Sequence, residues 1–152
     1  MGVTGKLEVE VDIKASGDVF HELLGKRPHH VSNMVPDHIH GCDLHEGEFG
    51  ELGSILKWDY TLDGKKSADK HLVEVIDEEN KILRIKLMEG SDLLQVYKSM
   101  KISLHVIPKG DIDAILWKIE FERFDDFGPY PTNVMDFIIK VTRDLEAHHV
   151  HV

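Results

Sequence analysis

Ala114-Ile115-Leu116-Trp117-Lys118-Ile119-Glu120-Phe121-Glu122 carries large apolar residues at every second position, and soon afterwards the rhythm changes: Val134, Phe137, Ile138, Val141 and Leu145 recur in steps of three and four. The first pattern puts Ile115, Trp117, Ile119 and Phe121 on one face of a strand. The second draws one apolar stripe along a helix, with Asp136, Lys140, Arg143, Asp144 and Glu146 largely opposite. Pro129 and Pro131 separate the two. A long helix with one apolar stripe needs a surface to lie on, and the rest of the chain supplies a sheet.

Residues 6–14 set Leu7, Val9, Val11 and Ile13 against Lys6, Glu8, Glu10, Asp12 and Lys14, a strand with one wet face. Further strand patterns run over 38–46, 54–62, 67–77, 81–89, 96–107 and 112–124. Asp63-Gly64, Glu78-Glu79-Asn80 and Lys109-Gly110-Asp111 mark hairpin turns. Ser16 or Asp18 caps a short helix through Val19, Phe20, Leu23 and Leu24, ended near Gly25 and Pro28, and residues 29–36 add a second, stopped at Pro36. The expectation is one α+β domain over 1–152: a seven-stranded curved antiparallel sheet around a long C-terminal helix, with two short helices after the first strand. The inward faces are Leu56, Trp58, Tyr60 and Leu62; Leu83, Ile85 and Leu87; Met100, Ile102, Leu104 and Val106; and the Ile115 set.

Between two strands lies Gly47-Glu48-Phe49-Gly50-Glu51-Leu52-Gly53-Ser54. A phosphate loop ends in Gly-Lys-Ser/Thr and opens a helix; here a strand follows, no lysine does, and Glu48 and Glu51 repel anions. A tight connection or gate is the better reading. Eighteen basic against twenty-eight acidic residues give a net charge of −10 without a basic cluster, which disfavours nucleic acid and anionic membranes. No apolar run approaches membrane-spanning length, so membrane insertion is not expected. With Cys42 the single cysteine, no intrachain disulfide can form, and a cytoplasmic location is expected. No cofactor motif is legible.

The order of elements, with Gly17-Asp18-Val19-Phe20, His29-His30-Val31, Gly41-Cys42-Asp43-Leu44-His45-Glu46-Gly47, Gly53-Ser54, Trp58-Asp59-Tyr60, Asp63-Gly64-Lys65, Glu89-Gly90 and Thr142-Arg143-Asp144-Leu145-Glu146-Ala147-His148, resembles the plant major latex proteins, a branch of the birch pollen allergen superfamily. The resemblance spans the chain. It implies the helix-grip, START-like fold with an internal hydrophobic cavity, where inward faces alone would imply a filled core. It also implies a carrier of a hydrophobic small molecule: a specialised metabolite, hormone, sterol or lipid. Some relatives act on labile alkaloid or iridoid intermediates, so a cyclase or isomerase is the alternative; a stress or defence interaction protein working through its outer surface is a third.

Such a cavity would be several hundred cubic ångströms, roughly, and mostly apolar. The expected lining is Trp58, Tyr60, Leu83, Ile85, Ile102, Leu104, Phe137, Val141 and Leu145. Tyr60 either offers its hydroxyl to a ligand or is a core tyrosine satisfied by a backbone carbonyl. His71 is in phase with Val73 and Val75, with Asp69 on the same face, so an imidazole beside a carboxylate could move protons there. Leu72 and Ile76 are apolar too, which leaves the phase of that strand open. Lys98, in phase with Met100 and Ile102, could meet an anionic group at the mouth or turn to solvent. If the protein is an enzyme, Tyr60 and His71 carry the chemistry. His38 and His40, and the terminal His148, His149 and His151, do not form the ligand set of a zinc site, and no metal is expected. Cys42 reads as a small buried residue.

Overall fold

The structure is a computed structural model and describes residues 2–149. Its strands are β1 (Val3–Ile13), β2 (Ile39–Glu46), β3 (Ile55–Leu62), β4 (Lys65–Asp77), β5 (Ile82–Met88), β6 (Tyr97–Pro108) and β7 (Asp113–Arg123). They form one antiparallel sheet in the order β1-β7-β6-β5-β4-β3-β2. Each strand from β2 to β7 pairs with the next, and β1 closes against β7 from Val3 opposite Arg123 to Ile13 opposite Asp113. The strand begins earlier than its alternation indicates because Gly5, which breaks the pattern, still pairs with Phe121. At the β3–β4 hairpin Asp63 and Gly64 both take positive φ, 52° and 76°, the type I′ turn whose twist suits two antiparallel strands.

The helices are α1 (Gly17–Lys26), α2 (Val31–Met34) and α3 (Thr132–His149). Ser16 stands at the start of α1, but its side chain makes no capping bond. Asp113 of β7 accepts the Gly17 N–H instead, at 2.8 Å, so the sheet anchors this helix. The expected helix over 29–36 is a 3-10 turn (Pro28–His30) followed by the single turn of α2. It stops before Pro36, whose ring disfavours helical backbone in the preceding residue. A further 3-10 turn, Asp92–Gln95, was not signalled by periodicity.

Helix α3 packs chiefly against β1 and β3, near opposite edges of the sheet, and against α2. It therefore spans the concave face as a bridge. One core cluster gathers Phe20, Leu23, Val31, Val106, Ile115 and Leu145 beneath α1 and α2. A second joins Met100, Ile119, Phe121, Val134 and Met135 near the start of α3. The middle of the concave face lies between them. The seven strands, the curved antiparallel sheet and the closing helix are those read from the sequence.

Candidate functional site

A cavity of about 200 Å³ lies between α3 and the concave face, smaller than the sequence suggests because four large rings, Trp58, Tyr60, Trp117 and Phe137, project into it. Trp58, Tyr60, Leu83, Ile85, Ile102, Leu104, Phe137, Val141 and Leu145 all line it. Trp58, Leu83, Ile85, Ile102 and Phe137 point inward and yet are only half-buried. The surface they retain opens onto this cavity.

Register fixes the phase of β4 that the sequence leaves open. Asp69 sits opposite Trp58, and His71 opposite Leu56 on one side and Leu87 on the other. Paired residues share a face, so Asp69 and His71 turn inward with those neighbours. A bulge between Val73 and Val75 shifts the pairing with β5 and sets Ile76 opposite the inward Leu83, whereas Leu72, before the bulge, pairs with Lys86 and Ile55 on the other face from His71.

Tyr60 meets neither of its two expected partners: its hydroxyl donates to Asp69 Oδ2 at 2.5 Å. Asp69 Oδ1 accepts the Leu93 N–H at 3.2 Å, supplied by the 3-10 turn. The Asp69 carboxylate thus turns to Tyr60 and not to His71, and the expected imidazole–carboxylate pair does not form. Burial raises the Asp69 pKa against these two hydrogen bonds. Burial, the Asp69 charge and the hydrogen bond to it together raise that of Tyr60, which keeps its proton.

His71 has a ring neighbour, Trp58, at 6.1 Å between centroids, and no hydrogen bond to any described residue. Burial lowers its pKa to about 4, so the ring is neutral at neutral pH. Of the other polar wall groups inside, the Trp117 indole N–H is buried without a partner among the described residues, whereas Thr142, Ser54 and Arg84 are committed. Thr142 donates to the Ile138 carbonyl at 2.8 Å, and Ser54 donates to the Glu48 carbonyl at 2.6 Å. Arg84 pairs with Glu74 at 3.2 Å.

Leu24 and Gly25 of α1 and Glu48 and Gly50 of the glycine loop form the rim. The loop is pinned: Phe49 stacks on His29 with centroids 4.0 Å apart and planes 25° apart. Gly47 has φ +83°, and a Cβ there would meet Ser54 Oγ at 2.5 Å, so a side chain cannot be accommodated. The Glu48 N–H goes to Ser54 Oγ, and the Gly53 N–H to the Val73 carbonyl. These two amides are consumed within the protein.

Lys98 is exposed and lies outside the cavity wall. Between Tyr97 and Ser99 the β6–β7 ladder shifts by one residue, so Lys98 is the bulged residue and does not share the face of Met100 and Ile102. His38 contacts Asp144 at 2.8 Å while His40 bonds Thr61 and the Pro36 carbonyl, so the two serve separate contacts. Among the described residues no cluster is arranged to hold a metal; the His149 side chain and His151 lie outside them. Cys42 is buried, its thiol pushed up to about 12, which leaves it unreactive as a nucleophile. No described helix is long and apolar enough to cross a membrane. The sequence reading missed the role of Asp69, which an inward carboxylate two positions from His71 could have signalled, and that of Leu93, whose backbone contribution has no signal in side-chain type.

The pathogenesis-related protein Bet v 1 family matches residues 2–151. MLP-like protein 43 of Arabidopsis thaliana is 41% identical over 148 residues, covering 96% of this chain and 93% of that protein. The chain belongs to the major latex protein branch of the Bet v 1 family. The crystal structure of major latex-like protein 151 from Panax ginseng superposes with a TM-score of 0.93 at 47% identity, covering 96% of this chain and 97% of that one. A more distant member of the same fold, a norcoclaurine synthase point mutant from Thalictrum flavum in complex with a transition-state analogue, shares 20% identity, with a TM-score of 0.75 and 98% of each chain covered. At that identity the likeness concerns the fold alone.

Proposed function

We propose that this Bet v 1 family member is a cytoplasmic carrier that holds a hydrophobic small molecule, such as a plant specialised metabolite, hormone, sterol or lipid, between α3 and the sheet. The observation that carries the reading is the half-buried state of inward apolar side chains around one sheltered cavity. In a filled core Ile85, Ile102 and Phe137 would be fully covered, because interiors pack to crystal density. The glycine loop and the end of α1 form the entrance.

The enzyme reading draws on the same groups, and their protonation weighs against it. A general acid or base works best with a pKa near the working pH. His71, at about 4, is a weak base and at neutral pH is not the imidazolium that a general acid requires, while Tyr60 is shifted away from neutrality. A carrier needs neither. Protein purified from plant tissue under native conditions and analysed by mass spectrometry should release one class of apolar metabolite in near-stoichiometric amount. Recovery of no metabolite, together with turnover of a labile intermediate that is lost in both Tyr60→Phe and His71→Ala, would favour the enzyme.

A further inference from the structure

Resting on the carrier reading, we propose that His71 anchors the polar end of the ligand, and that the ligand is a neutral, largely apolar molecule with a hydroxyl or carbonyl head group. The polar side chains of the wall divide unequally. Tyr60 and Asp69 satisfy each other, Thr142 and Ser54 are bound to backbone carbonyls, and Arg84 is tied to Glu74. Glu48 is exposed at the rim. The indole N–H of Trp117 is buried without a partner among the described residues and that of Trp58 makes no hydrogen bond to any of them, but an indole only donates. Among the described residues of the wall, His71 alone offers an uncommitted donor and an uncommitted acceptor on one ring. A neutral imidazole donates through one nitrogen and accepts through the other, so it can greet a carbonyl or a hydroxyl by its choice of tautomer.

The same inventory selects against ions. A carboxylate entering the cavity would face the Asp69 charge with no uncommitted cation on the wall; Arg84 is already paired, and Lys98 lies outside. An ammonium group would find Asp69 with one oxygen held by Tyr60 and the other by the Leu93 N–H. It would also lose its hydration for an imidazole that offers one acceptor. Burying a charge without full pairing carries a penalty well above that of an alcohol or ketone. The apolar remainder of the ligand lies along Ile85, Ile102, Leu104 and Phe137.

The test uses a matched ten-carbon series, 1-decanol, 2-decanone, decanoate and decylamine, each titrated at neutral pH by displacement of Nile red from the full-length protein. The expected order places the alcohol and the ketone at least tenfold tighter than either ion. His71→Leu should weaken the alcohol and the ketone about tenfold, the scale of one buried hydrogen bond; His71→Gln, which restores a donor and an acceptor, should recover most of it. A shift of the His71 ring signals in NMR on adding decanol should accompany binding. Equal affinity across the series, or an alcohol affinity indifferent to His71→Leu in a variant that melts normally, would overturn the proposal while leaving the carrier reading intact. Tightest binding of decylamine would overturn it in favour of Asp69 as the recognition group. Failure of wild-type protein to take up Nile red or any of the four would remove both.

Discussion

Phe20→Ala is expected to lower stability to unfolding by about 3–5 kcal/mol, whereas Phe137→Ala, the same deletion of a phenyl ring, is expected to lower it by roughly 1 kcal/mol. Phe20 is fully buried, packed with Leu23, Val106 and Ile115 in the cluster beneath α1 and α2. Its removal forfeits the transfer free energy of the ring and leaves a void that rigid neighbours cannot close. Phe137 is half-buried and borders the cavity, touching Tyr60 at 5.5 Å and His38 at 6.2 Å between ring centroids. Much of its surface is in contact with the cavity already, so truncation enlarges an existing space and forfeits few contacts. Urea titration of the two variants reads the difference directly. Equal, large losses would mean that Phe137 is packed like a core residue and that the helix and sheet meet across a filled interior.

Acid should destabilise the protein through His71 before it does so through carboxylates. The ring has an ordinary value of 6.5 when unfolded and about 4 when folded. Between these values the unfolded chain binds a proton that the native state refuses, so stability falls as pH falls from 6.5 towards 4; above 6.5 the contribution is fully present, and below 4 its slope vanishes. The ceiling is about 3 kcal/mol, and about 2 kcal/mol is expected because part of the ring opens onto a cavity that water can enter. Asp69 acts in the opposite sense: its raised value makes the native state the better proton acceptor, so its contribution grows as pH falls through the raised value towards 3.8. The difference between wild type and His71→Leu isolates the histidine. Wild type should lose stability relative to the variant over that window; parallel curves would show that His71 titrates as if exposed.

The fold was legible in the sequence because its signals are local and repeated. Period-two alternation marked the strands, Asp63-Gly64 marked a hairpin, and the change of period after Pro131 marked α3. The apolar wall followed from the same phases. What alternation could not show was where the phase breaks. The bulge at Lys98 moved one candidate out of the wall, and the bulge after Val73 turned Ile76 to the same side as His71 although alternation puts them on opposite faces. A bulge shifts facing by one residue with no change in residue type, so only pairing with neighbouring strands reveals it. Tyr60 with Asp69, and Phe49 with His29, join residues whose encounter depends on register and on a loop path. The hollow itself was not legible from periodicity, since a filled and an open interior present the same inward faces; family resemblance supplied that expectation.

The central claim, a sheltered cavity that binds one apolar molecule, is tested most directly by titrating Nile red into wild-type protein and into Ile102→Trp, a variant whose added ring projects from the middle of the sheet into the space beside Leu104 and Phe137. Wild type should show saturable fluorescence enhancement with one dye per chain, and the folded variant should lose it. Dye uptake that never saturates, or that is equal in the two proteins, would place binding on the outer surface and contradict the account.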